Sequence, residues 1–408
     1  MATYYLITYK DDTWRGEMGR YDFNNTAAFV AWPDNQNDRL SSFKFKLPVG
    51  WELRIHEDRS GTSRFKAWAG TGNEIWVNKN ELPGFIHDEA SGHSWIRLNF
   101  SSIQQSYNAV QPEGPTHLFI TKPPAIVMPA GYRGDSTWHQ QGIQKTARGE
   151  FIVSGSSPEV GYLYFTNTAR TIVNVVTPRK SLEPPNPQSC NHLGGFQVAG
   201  DFLAVGYERF QNKSSGTSKI LFYNIANIFS PVALDHLTIT RARAGDTAGA
   251  VALIFLGDCW LVLVANWDAA RLDFYTSNST DLYNNTTRFS ASPRWSWSKA
   301  ANGFGSGSVD DNWGGYQNIN LFTQAGAPPR LDDLWFVGMH ENWADLYQLR
   351  LGAGVPLVTK RGKKQFGGGQ DFVSASGFFY DTNVRAFEVY SAEAHIGNGA
   401  TSRVDRWL

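Results

Sequence analysis

The chain has 408 residues with 37 basic and 37 acidic side chains, a formal net charge of zero; 18% of its residues are charged and 14% aromatic. Balanced charge excludes a basic nucleic-acid footprint, and the aromatic load excludes a disordered chain, which needs high net charge and few rings. The 39 glycines, with abundant Ser, Thr and Asn, favour short strands joined by turns, so the expected class is all-β.

Residues Tyr4 to Tyr9 follow Met1-Ala2-Thr3 directly and read as a strand, without a basic n-region or cleavage site. No apolar run approaches the ~18 residues of a membrane span. A soluble protein is expected, cytoplasmic or exported without a classical leader, with its oligomeric state open. Two cysteines, Cys190 and Cys259, are too few for a disulfide framework, although spacing leaves a single bridge open.

Two stretches of the first hundred residues look like copies of one pattern. Tyr9-Lys-Asp-Asp-Thr-Trp14-Arg-Gly16 places an aromatic, a turn and Trp-x-Gly after a strand, and Asn37-Asp38-Arg39-Leu40-Ser41-Ser42 leads into Phe43-Lys44-Phe45. The second copy runs from Trp51 through Glu57-Asp58 and Gly61 to Asp88-Glu89-Ala90-Ser91-Gly92 and Trp95. Each copy reads as a four-stranded Greek key, with alternating residues such as Phe43 and Phe45 facing a core.

This arrangement resembles the βγ-crystallin domain over residues 1–101. The resemblance implies calcium binding of the microbial type, since residues 37–42 match the loop Asn/Asp-Asn/Asp-x-x-Ser/Thr-Ser at every specified position. Asn37, Asp38 and Ser41 would then offer side-chain oxygens, Arg39 a carbonyl, and the turn at Glu57 the remainder, a cluster of hard oxygens suited to Ca²⁺. The equivalent loop of the second key lacks the final Ser-Ser, so one good site and one degraded site are expected.

Pro112, Pro115, Pro123, Pro124 and Pro129 suggest a linker over 102–128, with a second domain at 129–408. Beyond it, His139-Gln-Gln-Gly142-Ile-Gln144, His192-Leu-Gly194-Gly195-Phe-Gln197, Thr247-Ala-Gly249, Asn312-Trp-Gly314-Gly315-Tyr-Gln317 and Gln365-Phe-Gly367-Gly368-Gly369-Gln370 recur roughly every 55 residues, each followed by two β-runs. Such units bury both faces only by radial stacking, so a five-bladed β-propeller is expected. The glycines let the innermost strands crowd together without any ligand. By register His139, His192, Thr247, Asn312 and Gln365 form a ring near the axis, with Gln144, Gln197, Gln317 and Gln370 deeper; these amides either bond across blade edges or line a ligand funnel.

A second set of candidates sits in turns: Glu208 after Tyr207; Trp267-Asp268; and His340-Glu341-Asn342-Trp343. Aromatic faces beside carboxylates and amides suit sugars, whose C–H faces stack on rings while hydroxyls take hydrogen bonds. The repeat resembles two groups of five-bladed propellers: glycoside hydrolases of the arabinanase and fructosidase type, and lectins of the tachylectin-2 type. A hydrolase needs two carboxyls flanking the scissile bond, and no matched set emerges. His139 and His192 with Asp246 or Glu208 would alternatively suit a transition metal. The expectation is a calcium-bearing, lectin-like binding protein for a glycan or small polar ligand, with no nucleic-acid partner. The alternative is a funnel enzyme, a glycoside hydrolase or a His-metal hydrolase or lyase drawing on His139, His192, Glu208 or Asp246.

Overall fold

Phe43 and Phe45 are fully buried while Lys44 and Lys46 between and beside them are not, the period of two of a strand with one face on a core, whereas strands such as Phe151–Ser156 and Trp260–Ala265 are buried along their whole length. In the computed structural model, contacts divide the chain into two units, Met1–Ser101 with Thr382–Ala386 and Ser102–Asp381 with Phe387–Leu408. The structure describes residues 4–11, 14–23, 29–47, 51–59, 65–69, 74–82, 86, 89–97, 102–128, 139–157, 160–178, 190–209, 217–243, 245–299, 313–324, 330–352, 354–381, 385–394 and 401–408. No described helix is long and apolar enough to cross a membrane.

The first unit holds β1 (Tyr5–Tyr9), β2 (Glu17–Asp22), β3 (Phe29–Ala31), β4 (Ser42–Lys46), β5 (Trp51–His56), β6 (Phe65–Ala69), β7 (Glu74–Val77) and β8 (Gly92–Arg97). They form two antiparallel sheets, ordered β2-β1-β4-β7 and β3-β8-β5-β6. Each key therefore lends one strand to the other's sheet: β3 pairs with β8, and β7 with β4. This is the paired Greek-key sandwich expected from the sequence. Leu6, Trp32, Phe43, Phe45, Leu53 and Trp95 fill the space between the sheets. Within that core the Trp32 indole donates to His93 Nδ1 at 2.9 Å, which requires a neutral imidazole. Burial, aided by nearby His56, lowers the His93 pKa to about 3.

The second unit is a five-bladed propeller. Blade one comprises β10 (Gln140–Lys145), β11 (Phe151–Ser156), β12 (Gly161–Thr166) and β13 (Ile172–Val176); blade two, β14 (His192–Ala199), β15 (Phe202–Glu208), β16 (Ser218–Asn224) and a split outer edge of β17 (Val232–Ala233) and β18 (Ile239–Arg241). Blade three is β19 (Ala250–Phe255), β20 (Trp260–Ala265), β21 (Arg271–Ser277) and β22 (Phe289–Ser298); blade four, β23 (Asn318–Thr323), β24 (Leu334–His340), β25 (Trp343–Arg350) and β26 (Leu357–Gln365). Blade five has β27 (Ser376–Asp381), β28 (Ala386–Ala392) and β29 (Thr401–Trp407), and takes its fourth strand from the start of the unit.

That fourth strand corrects the expectation of a linker over 102–128. Thr116–Thr121, here β9, pairs antiparallel with β29 from Thr401↔Thr121 to Arg406↔Thr116, covering an edge that would otherwise stay open. The prolines flank the strand instead of interrupting it. Ahead of it lies a helix, α1 (Ile103–Ala109), whose N-terminus is capped by the Ser102 hydroxyl, which accepts from the Gln105 amide. Lys364 Nζ donates to the Asn108 and Val110 carbonyls at 2.8 and 2.6 Å just past the helix end, and burial lowers its pKa to about 8.

The axis is closed by amides. Gly142 pairs in parallel with Ser376, and Gly195 with Ala250. A Cβ on Gly195 would strike the Gln317 carbonyl and one on Gly194 the Gly249 carbonyl, so the glycine pair is there for strand crowding. Gln197 Oε1 accepts from the Leu321 and Leu253 amides at 2.8 and 3.3 Å, while its Nε2 donates to the Leu321 carbonyl at 2.8 Å. Gln144 Nε2 donates to Asn320 Oδ1, which also accepts from the Phe378 amide, and Asn318 Nδ2 donates to the Ser376 carbonyl. The expected deep ring is thus half right. Gln317 lies one residue ahead of β23 and Gln370 ahead of β27; Asn318 and Asn320 hold the axial positions in blade four. The repeat alignment fails there because glycines recur in these connections as well as in the strands.

Two outcomes follow. Gln197→Leu strands two backbone donors of different blades in the interior and lowers stability by about 2–6 kcal/mol in chemical denaturation, at about 1–3 kcal/mol per buried group left unbonded; a loss too small to measure contradicts the amide lock. For His93 the folded pKa lies below the unfolded value near 6.5, so its contribution is complete above that value and is lost as pH falls. Stability of the first unit should drop by about 1.4 kcal/mol per pH unit between about 6.5 and 3. Denaturation midpoints of the wild type and His93→Gln read this directly, and equal slopes would contradict it.

Candidate functional site

Antiparallel pairing brings the two sets of sequence candidates to one end of the propeller. His192, at the start of β14, pairs with Glu208 at the end of β15. The His139 carbonyl accepts from the Ser156 amide. Thr247 Oγ1 accepts from the Trp267 amide at 2.7 Å, and the His340 imidazole lies against Gly314, where any Cβ would collide with the ring. The starts of the inner strands and the turns after the second strands thus share one end.

Its carboxylates are bound inward. Glu208 is fully buried; its Oε2 accepts from the Ala248 amide and its Oε1 lies 3.6 Å from Nδ1 of the buried His192. Asp246 pairs with Arg271, which also binds Asp273 through Nε at 3.0 Å. Burial opposes charge on Arg271, but Asp246 and Asp273 together hold its pKa above the usual arginine value. Sequence reading missed a third group. Asp345, fully buried within β25, accepts from the Tyr316 hydroxyl at 2.7 Å and Lys360 Nζ at 3.1 Å, with His340 Nε2 at 3.7 Å. Burial raises the Asp345 pKa, but His340, Lys360 and Tyr316 outweigh it and leave the carboxyl below its ordinary range. The available signal was a lone Asp facing Gly338 inside an apolar strand.

Aromatic groups at this end are better exposed. Trp267, opening a single 3-10 turn Trp267–Ala269, is half-buried with its ring centroid 5.9 Å from that of His192. His340 keeps 14% of its side chain exposed and packs edge-on against Tyr316. Trp343, directly opposite His340 across the hairpin, is half-buried beneath Lys363 Nζ, 4.0 Å from the ring centroid, and Glu341 at the hairpin tip is exposed with φ of 49°. His139 is half-buried and bonded to Gln141. The Asp268 side chain and Asn312 lie outside the described residues. Gln365 is a correction: it ends β26, the outer edge of blade four, exposed and paired with Trp343, because the Gly367–Gly369 stretch that suggested its register precedes the inner strand β27 by several residues.

Among the described residues no three His, Cys, Asp or Glu side chains converge. Cys190 and Cys259 are both free thiols; burial, with the neighbouring Asp258, raises that of Cys259 to about 11.

In the first unit the oxygens assemble across the two keys. Ser91 Oγ lies 3.3 Å from Asp38 Oδ1, 2.9 Å from the Glu57 carbonyl and 3.4 Å from the Glu89 carbonyl. Asp38 sits in the left-handed region with φ of 53°, and Asn37 Oδ1 is shielded without a hydrogen-bond partner. Asp38 Oδ1 and the Glu57 carbonyl are thus both neighbours of Ser91 Oγ, together with the Glu89 carbonyl of the second key. Ser41 instead gives its amide to the Tyr9 carbonyl, at the turn where Ser42 Oγ bonds the Asp11 carbonyl; no contact of Arg39 with the Asp38 group is recorded among the described residues. The cause is the strand exchange, which lays each key's loop beside the other's hairpin. A carboxylate, two carbonyls and a hydroxyl are four hard oxygens, of the chemical kind calcium takes, against the roughly 6–8 of a full shell.

No family model and no curated protein matches the chain. Among solved structures it is similar to a βγ-crystallin domain double mutant from Clostridium beijerinckii, at 16% identity over 22% of this chain and 94% of that one, TM-score 0.17. It is similar to an α-L-arabinanase from Penicillium chrysogenum at 10% identity over 72% of this chain and 98% of that one, TM-score 0.39. A functionally unknown protein from Desulfotomaculum acetoxidans aligns over 98% of this chain and 94% of its own, at 7% identity and TM-score 0.29.

Proposed function

We propose that the chain is a glycan-binding protein whose propeller takes a sugar against the exposed aromatic edges at its axial end, and whose first unit is a calcium-bearing Greek-key module. One observation carries the first part: Glu208, Asp246 and Asp345 are all committed to internal partners, while Trp267, His340 and Trp343 keep exposed surface at the same end. Glycoside hydrolysis needs two carboxyls facing a common bond, about 5–5.5 Å apart for retention and about 6.5–9.5 Å for inversion. Carboxylates bound to backbone amides, arginine and lysine instead fix strands. Half-exposed rings beside imidazole and amide groups supply stacking and hydrogen bonds without cleavage. The calcium reading rests on Ser91 Oγ and the three oxygens around it, with Asp38 the one carboxylate among them.

Titration of the intact protein with an oligosaccharide panel, followed by tryptophan fluorescence, tests the axial reading. Trp267→Ala should weaken the best binder about tenfold, as expected for losing one stacking face. No reducing ends should accumulate. Reducing ends abolished by Glu208→Gln would support a hydrolase instead. For calcium, calorimetry should detect binding that disappears in Asp38→Ala, with the melting temperature of the wild type rising on saturation; absence of both heat and stabilisation contradicts that part.

A further inference from the structure

A cleft opens on blade three, sharing the Asp246–Arg271 pair with the axial end, where charged and aromatic groups meet in a cavity of about 230 Å³ lined by Arg243, Asp246, Arg271, Asp273, Tyr275 and Trp295. That volume is below the about 300–1,000 Å³ of sites for drug-sized ligands and suits a single small ring. Its charges do not cancel. Asp273 is shared by Arg271 and by Arg241, a guanidinium only 1% exposed that also donates to the Thr247 carbonyl, and Asp246 is bound by Arg271. Two carboxylates are thus saturated by two arginines, and Arg243 is a third. Arg243 is exposed, and its guanidinium has no hydrogen bond or ion pair among the described residues. Among the described side chains the cleft therefore holds one uncommitted cation, Arg243, beside carboxylates already paired with arginines.

The remaining walls suit a hydroxylated ring. Tyr275 and Trp295 are both half-buried, Trp295 being fixed by its indole donating to the Gly352 carbonyl at 2.9 Å, and Ser292 and Ser296 add hydroxyls. Arg271 cannot take a third carboxylate without releasing Asp246 or Asp273, so an incoming anion meets Arg243. A guanidinium binds a carboxylate through two parallel N–H···O bonds, a geometry that selects planar carboxylate.

We propose that this cleft binds a sugar acid of the hexuronate class, its carboxylate on Arg243 and its ring between Tyr275 and Trp295. The assignment rests on the cleft alone and not on the axial reading: the cleft uses Arg243 and Trp295, the axial end Trp267 and His340.

Calorimetry or ligand-observed NMR of the intact protein with glucuronate and galacturonate, against glucose and acetate, tests it. At least one uronate should bind about tenfold more tightly than glucose and acetate, and Arg243→Ala should remove that margin with an unchanged melting temperature, Arg243→Lys restoring part of it. Trp267→Ala should leave uronate binding intact, which separates this site from the axial one. The proposal is overturned if neither uronate binds more tightly than glucose, if acetate binds as well as either uronate, or if Arg243→Ala binds like the wild type.

Discussion

The propeller depends on how its innermost strands satisfy their polar backbone where five of them converge. Gln197 answers this for three blades at once, since from β14 it accepts from Leu253 of β19 and Leu321 of β23 and returns a donor to Leu321. Asn320 does the same between β23, β10 and β27. Buried donors left unbonded would each cost more than a typical contact gains, so these amides fix the registers of the blades against each other. Strand crowding then demands glycine at 194 and 195, and the positions of everything at the axial end follow from those registers.

With the axis closed, functional chemistry is confined to the end of the barrel and the surfaces between strands. The carboxylates at that end illustrate the consequence. Glu208 ties blade two to the Ala248 amide at the approach to blade three, Asp246 ties the same approach to Arg271, and Asp345 gathers Tyr316, Lys360 and His340 within blade four. Each secures the base of a turn that presents a ring or an imidazole. Among the described residues at this end, acids and amides hold the frame, while Trp267, His340 and Trp343 keep surface toward the solvent.

Much of the fold was legible in the sequence because its signals are local. Period-two alternation, Gly-Gly pairs and the Tyr-x4-Trp-x-Gly turn each report on a few neighbouring residues, and they yielded both units and all five blades. What failed depended on distant partners. β9 looked like a linker because its mate, β29, lies almost three hundred residues on in the sequence. Gln365 was placed on the axis because a glycine run imitates an inner-strand start, and Ser91 was overlooked beside Asp38 because strand exchange between the keys is invisible in either key alone. Asp345 went unnoticed because its surroundings are set by Tyr316, two residues ahead of β23, and Lys360 of β26.

The central claim, that the axial end binds a sugar against its aromatic edges while its acids remain structural, is tested most directly by a crystal structure of the protein equilibrated with its best oligosaccharide. The account predicts an intact sugar stacked on Trp267 or packed against His340 and Trp343, with Glu208 still on the Ala248 amide and Asp246 still on Arg271. A cleaved product, or a sugar held between carboxylates released from those partners, would contradict it.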